Sequence, residues 1–210
     1  LTITDSAGVT QTVTAIVQAD GTYSVDVPAE LAEGEFTVNA SVTDEAGNTA
    51  TADTTGEIDT TAPSITIDTI ATDNDTTPTL SGITDAALGS TVTLTITDSE
   101  GVTQTLTAIV QADGTYSIDV PAELAEGEFT VNASVTDEAG NTATADTTGE
   151  IDTTAPSITI DAIATGNDTT PTLSGTTDAA LGSTVTLTIT DSEGVTQTVT
   201  AIVQADGTYS

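Results

Sequence analysis

Between Thr91 and Thr97 apolar and polar side chains alternate without a break: Val92, Leu94 and Ile96 fall on one side of an extended chain, Thr91, Thr93, Thr95 and Thr97 on the other. A period of two is that of a β-strand with one face in a core and the other in water. The same alternation marks Phe129, Val131, Ala133 and Val135; Tyr116, Ile118 and Val120; Leu106, Ala108 and Val110; and Ile65 with Ile67. Weaker strands are predicted over about 78 to 82 and 141 to 151. Turn sequences separate them: Asp75 to Pro78, Asp85 to Ser90, Asp98 to Gly101, Asp113-Gly114, Pro121 to Gly127 and Asp137 to Asn141. Pro121 to Gly127 is long enough for one helical turn and too short for a helix. Seven strands and six connections predict an all-β fold, an antiparallel Greek-key, Ig-like β-sandwich. The Cys pair and core Trp of antibody domains are absent. The expectation is therefore of the architecture only.

The pattern repeats. Residues 1 to 117 align without gaps on 94 to 210, a period of 93, and differ only at Ala7/Glu100, Val13/Leu106, Val25/Ile118, Thr69/Ala162, Asp73/Gly166, Ile83/Thr176 and Leu106/Val199. Glu57 to Pro63, returning as Glu150 to Pro156, ends one extended element before the next begins and reads as the joint. On this framing residues 1–60 are the C-terminal part of one repeat, 61–153 a complete repeat, and 154–210 the N-terminal part of a third. Leu1, not Met, opens the sequence, so it reads as a piece of a longer chain. Threonine supplies 23 of the 93 residues in the complete repeat. Its β-branched side chain suits the outer face of a strand, and the pattern spreads it over several strands rather than one flat face.

Charge narrows the functional classes. The chain carries 33 Asp or Glu and no Lys, Arg or His, for a formal charge of -33, which disfavours nucleic acid and anionic membranes as partners. Without Cys or His there is neither thiol chemistry nor a zinc site of the usual kind. No apolar run is long enough to span a membrane, so no membrane insertion by this segment is expected.

In an Ig-like sandwich successive loops alternate between the two ends, which sorts the acids. Asp73, Asp75, Asp98, Glu100, Glu123, Glu126, Glu150 and Asp152 fall at the outgoing end, and Asp85, Asp113, Asp137, Glu138 and Asn141 at the incoming end. In tandem, the outgoing end of one repeat faces the incoming end of the next, gathering carboxylates around Asp59 or Asp152. Such a junction repels itself unless a cation intervenes. A hard divalent ion taking six to eight oxygen ligands, Ca2+ foremost, matches Asp, Glu, Asn and main-chain carbonyls. The candidate metal ligands on this reading include Asp59, Asp152, Glu150, Asp85, Asp113, Asp137 and Asn141. No EF-hand loop is present: Asp73-Asn74-Asp75 begins one, but the required Gly and Glu are missing. The competing readings are turn chemistry, for Asp113-Gly114, for Asp137 to Asn141 and for Asp152 before Thr-Thr-Ala-Pro, and solubility in a salty medium.

The run Asn74 to Gly82, the turn Ala112 to Tyr116, and Val135 to Asn141 followed by Asp152 to Pro156 together resemble bacterial Ig-like repeats. Such repeats form the extender regions of giant repeats-in-toxin-type surface adhesins, including biofilm-associated and ice-binding adhesins. The resemblance implies type I secretion from a Gram-negative cell, an extracellular place at the bacterial surface, and calcium at or near the joints that stiffens the stalk. By that similarity Asp59 and Asp152 in the joints and Asp44 and Asp137 in the loops are the preferred ligands. The glycine-rich nonapeptides that name the toxin class do not occur in this sequence.

Three functional classes follow. A calcium-stiffened spacer, whose partners are neighbouring repeats and calcium ions, explains the repetition. The alternative is that each repeat binds a glycan or host-surface ligand in a calcium-dependent way, against which stands the scarcity of aromatic platforms. An enzyme has only acid pairs such as Glu123 and Glu126 to work with, and no neighbouring base or cation to tune them. No enzymatic activity and no small-molecule substrate are expected.

Overall fold

The computed structural model describes residues 1 to 210 as two compact units, Leu1–Asp152 and Thr153–Ser210. The first unit opens with β1 (Thr2–Thr4), β2 (Thr10–Thr12), β3 (Gly34–Thr43) and β4 (Thr49–Ile58), which form one antiparallel sheet in the order β2-β1-β3-β4. The complete repeat follows as β5 (Ile65–Ile67), β6 (Thr79–Thr84), β7 (Thr91–Thr97), β8 (Thr103–Ile109), β9 (Thr115–Asp119), β10 (Gly127–Thr136) and β11 (Thr142–Ile151). These are the strands that the period-two alternation predicts. Pro121 to Gly127 contains no helix, and no helix of the chain is long and apolar enough to cross a membrane.

The seven strands make two sheets, β5-β6-β9 and β11-β10-β7-β8. In the constant-type Ig domain the fourth strand pairs with the fifth. Here β8 pairs with β7 instead, in register from Thr91↔Ile109 to Thr97↔Thr103. Between the sheets lie Leu80, Val92, Leu94, Ile96, Val110, Tyr116, Val120, Phe129, Val131, Val135 and Ile151, all buried. These positions alternate along the strands with outward polar residues, so the binary pattern alone sets which face is covered.

Two glycines are fixed by aromatic rings on the adjacent strand. Gly82 sits opposite Tyr116, and a Cβ there would lie 2.0 Å from the Thr66 carbonyl oxygen and 2.5 Å from the tyrosine hydroxyl. Gly149 sits opposite Phe129, and a Cβ there would lie 2.4 Å from the ring. Each ring thereby fills the space that a side chain would take.

The second unit contains β12 (Gly175–Thr176), β13 (Thr184–Thr190), β14 (Thr196–Ile202) and β15 (Thr208–Tyr209), paired as β12-β15 and β13-β14. Val185, Leu187, Ala201, Val203 and Tyr209, with Leu173 against them, form its small core.

Candidate functional site at the repeat joint

The site is built from a short linker, Asp59 to Ser64, and the loops that hold it. Asp59 follows β4 and accepts the Thr61 backbone N–H at 3.0 Å, which bends the chain just after the strand. From the preceding repeat, Glu33 reaches the linker. Its carboxylate accepts the Thr60 hydroxyl at 2.7 Å and also the Thr61 hydroxyl. From the following repeat, the amide of Asn141 donates to the Asp59 main-chain carbonyl at 3.1 Å. Ser64, just beyond Pro63, gives its backbone N–H to Asp85 at 2.7 Å. The linker is thus held on both sides by side chains of the two repeats that it joins.

Asn141 is aimed by its own loop. The Asp137 carboxylate accepts the Asn141 backbone N–H at 2.8 Å and its side-chain amide at 3.0 Å, while the Asp137 backbone N–H donates to the Asn141 carbonyl at 3.0 Å. Gly140, with φ +95°, permits the tight return. One amide nitrogen therefore bridges the Asp137 carboxylate and the Asp59 carbonyl. The same loop recurs as Asp44 to Asn48, where the Asn48 amide reaches Asp44 at 2.9 Å. The loop geometry is consequently intrinsic to the repeat.

These contacts shift the acids in one direction. The Asn141 amide holds Asp137 below the usual carboxylate range, as Asn48 does Asp44; the Ser64 backbone and hydroxyl do the same for Asp85, and the Thr61 and Thr60 hydroxyls for Glu33. Donors that carry no charge supply the partners that missing lysines and arginines would have given. They orient the carboxylates and leave the negative charge in place.

Of the sequence-predicted residues, Asp59, Asp137 and Asn141 meet, and Asp85 grips the far end of the same linker. Asp113 is spent on its own turn, accepting the Thr115 backbone at 3.1 Å and its hydroxyl at 2.7 Å, and sits lower than usual for that reason. Asp44 is engaged within its own loop. Glu150 accepts the Thr72 hydroxyl at 3.1 Å and lies directly across the ladder from Glu128, a like-charge pair. Asp152 gives its backbone N–H to the Asp73 carbonyl at 2.9 Å. No three carboxylates converge on one point.

Thr60 and Thr61 lie in the joint segment that the sequence marks, and Glu33 is the counterpart of Glu126 at the outgoing end; the contact between them is what the sequence does not announce. Asp98 was placed only as a loop acid; it is in fact buried, accepting backbone N–H groups of Val102 at 2.8 Å, Glu100 at 3.1 Å and Ala125 at 3.4 Å. It ties the β7–β8 turn to the segment before β10, a carboxylate withdrawn from solvent only because backbone donors surround it. The threonines also differ from expectation. Across β8, β7, β10 and β11 the ladder aligns Thr103, Thr97, Thr130 and Thr148 in one row and Thr107, Thr93, Ser134 and Thr144 in another. They share one outer face, because antiparallel pairing in register places outward residues of neighbouring strands side by side. Tyr116 and Phe129 are buried, so that face carries no aromatic platform.

The family described as bacterial Ig-like domain matches residues 1–60 and 63–153. None of the curated proteins matches the chain. Among solved structures, a tetra-tandem repeat in the extending region of a large adhesion protein is 42% identical, over 99% of this chain and 56% of that one, with a TM-score of 0.43. A 1.5-MDa bacterial ice-binding adhesin, solved in the context of host cell surface retention, is 27% identical over 99% of this chain and 72% of that one, TM-score 0.44. A Ca2+-stabilized adhesin with which an Antarctic bacterium binds ice is 30% identical over 99% and 55%, TM-score 0.39. The chain spans little more than half the length of the first and third of these.

Proposed function

The chain belongs to the family of bacterial Ig-like domains, and on that premise we propose that its repeats form the stalk of a bacterial cell-surface adhesin. They act as passive spacers that hold a ligand-binding domain of the same protein away from the cell. The observation that supports this reading most directly is the joint. A spacer transmits position only if its links resist bending, and here Glu33 from one side and Asn141 with Asp85 from the other fix the linker. Near-identity of the repeats fits the same role, since a spacer needs sameness and a differentiated site does not. The reading extends to export of the protein from a Gram-negative cell by type I secretion.

Calcium belongs to this proposal. The residues at the first joint suit it: the Asp137 carboxylate, the Asn141 side-chain carbonyl and the Asp59 main-chain carbonyl form a hard, all-oxygen set, and the Asn141 amide now lies between two of those acceptors. The second joint carries Asp152 in the place of Asp59, and Asp44 stands where Asp137 does one repeat earlier. When bound, the ion supplies the positive charge that the polypeptide lacks. Asp137, through its carboxylate, and Asp59, through its main-chain carbonyl, would hold it. Binding only the folded state, it would add roughly 2.7 kcal/mol at a hundredfold excess over its dissociation constant. Calorimetric titration of calcium into the chain and its Asp137→Asn variant tests this. The expected result is fewer calcium equivalents bound by the variant; identical isotherms would remove Asp137 and this joint from the proposal.

A further inference from the structure

Each sheet of the complete repeat ends in two edge strands, β5 and β9 on one, β11 and β8 on the other. An edge strand offers unpaired main-chain groups to any approaching strand, and proteins commonly blunt it by shortness, proline or charge. β5 has three residues and follows Pro63, β9 carries Asp119, and β11 carries Asp146 and Glu150. β8 has none of these devices. Its seven residues, Thr103-Gln104-Thr105-Leu106-Thr107-Ala108-Ile109, include no charge, proline or glycine, and no acid occurs from Gly101 to Ala112 in a chain with 33 of them. Its ladder to β7 runs without a bulge.

The main-chain groups at this edge can be assigned. The Asp98 N–H donates to the Val102 carbonyl at 3.1 Å and the Val110 N–H to the Ser90 carbonyl at 2.9 Å, which fixes the phase of the β7–β8 ladder. Hydrogen-bonded pairs alternate along an antiparallel ladder, so Gln104, Leu106 and Ala108 bond to β7. The main-chain groups of Thr103, Thr105, Thr107 and Ile109 then point outward. The Gln111 side-chain amide takes the Ile109 carbonyl at 2.8 Å, at the end of the row. Leu106 is half-buried against the core, and the side chains of Thr103, Thr105, Thr107 and Ile109 are exposed.

We propose that β8 pairs antiparallel with β8 of a second copy of this chain, joining two four-stranded sheets edge to edge. Pairing about Leu106 sets Thr105 opposite Thr107 and Thr103 opposite Ile109, so that outward main-chain groups meet from both sides. The contact is isologous and closes on itself. Charge and spacing both favour a second copy as the occupant. Neither β7 nor β8 carries an acid, so the acids of this sheet, from Glu128 on β10 outward, are two or more strands away. At about 4.8 Å per strand that is about 10 Å, beyond the Debye length of about 8 Å in physiological salt. The same edge recurs at intervals of 93 residues, as Thr10 to Ile16 and Thr196 to Ile202, and differs only at the inward position Val13/Leu106/Val199. Equal steps match one another in either chain direction, so several edges engage together and weak pairs reinforce one another. A strand of an unrelated protein has no such matched spacing. The register also brings Glu100 of one copy beside Asp113 of the other, a repulsion that salt screens.

Sedimentation velocity of the 210-residue chain at rising protein concentration, in salt of about 0.15 M and above, tests the proposal. The wild type is expected to associate reversibly, and more so as salt rises. Thr105→Pro, made together with Thr12→Pro and Thr198→Pro at the equivalent positions, removes one outward N–H from each edge and leaves the charge unchanged; proline is tolerated on an edge strand whose N–H faces solvent. Association is expected to be lost. Glu at the same three positions, all exposed, is a second variant that does not constrain the backbone, and the same loss is expected. Glu100→Ala with Glu193→Ala, which installs the residue already present at Ala7, is expected to strengthen association. A wild type that stays monomeric throughout overturns the proposal. So does association that persists undiminished in the folded Pro or Glu variant, since the contact would then lie elsewhere on the chain.

Discussion

Tyr116 shows how one side chain ties two strands together. Its hydroxyl donates to the Thr66 carbonyl at 2.6 Å, crossing over Gly82 to reach β5 from β9. Burial, reinforced by the negative charge of Asp68, pushes its ionisation up to about 12. Because that lies above the ordinary tyrosine value of about 10, the stabilisation is complete below about 10 and is lost as pH rises through about 12. Tyr116→Phe should cost about 1 kcal/mol, the net worth of a hydrogen bond, and should flatten the alkaline limb of stability. Denaturant unfolding of both forms between neutral and strongly alkaline pH checks this; an unchanged alkaline limb would exclude the hydroxyl as its origin. That Tyr116 and Phe129 turn inward was legible from the period-two pattern. Their seats on Gly82 and Gly149 were not, because cross-strand register is fixed by tertiary pairing and leaves no mark in local sequence.

At the scale of the element, the loop Asp137 to Asn141 closes its own turn and reaches the linker through Asn141. Asn141→Ala should release Asp59 and raise the mobility of the linker. Backbone 15N relaxation over residues 59 to 64 reads the change, and order parameters equal to those of the wild type would mean that the latch contributes nothing. Acid should act in the same sense. Asp137, Asp85 and Glu33 are held below the usual carboxylate range, so their contribution is present above it and is lost as pH falls through the depressed values. The turn sequences announced these loops. The alternation of loops placed these residues at facing ends; the particular hydrogen-bonded pairs were hidden, since Asn141 lies 82 residues from Asp59 and Thr61 lies 28 from Glu33. Asp113 serves its own turn, as the turn reading of Asp113-Gly114 expects, and Glu150 accepts the Thr72 hydroxyl.

For the whole molecule, the alternation and the 93-residue period made the sandwich class and its repetition readable. The partner of β8 was not, because an alternating strand specifies which face is buried and says nothing about which of two sheets it joins. The absence of lysine and arginine directed attention to cations, and the structure adds that neutral donors already orient the joint carboxylates without cancelling their charge. On the proposed reading, a stalk built this way is partly fixed by its own hydrogen bonds and would become stiffer when a divalent ion offsets the remaining repulsion. Small-angle scattering of the chain in calcium and in chelator, at matched ionic strength, tests this most directly. The account predicts a longer and better-defined maximum dimension in calcium; scattering curves that superimpose would contradict it.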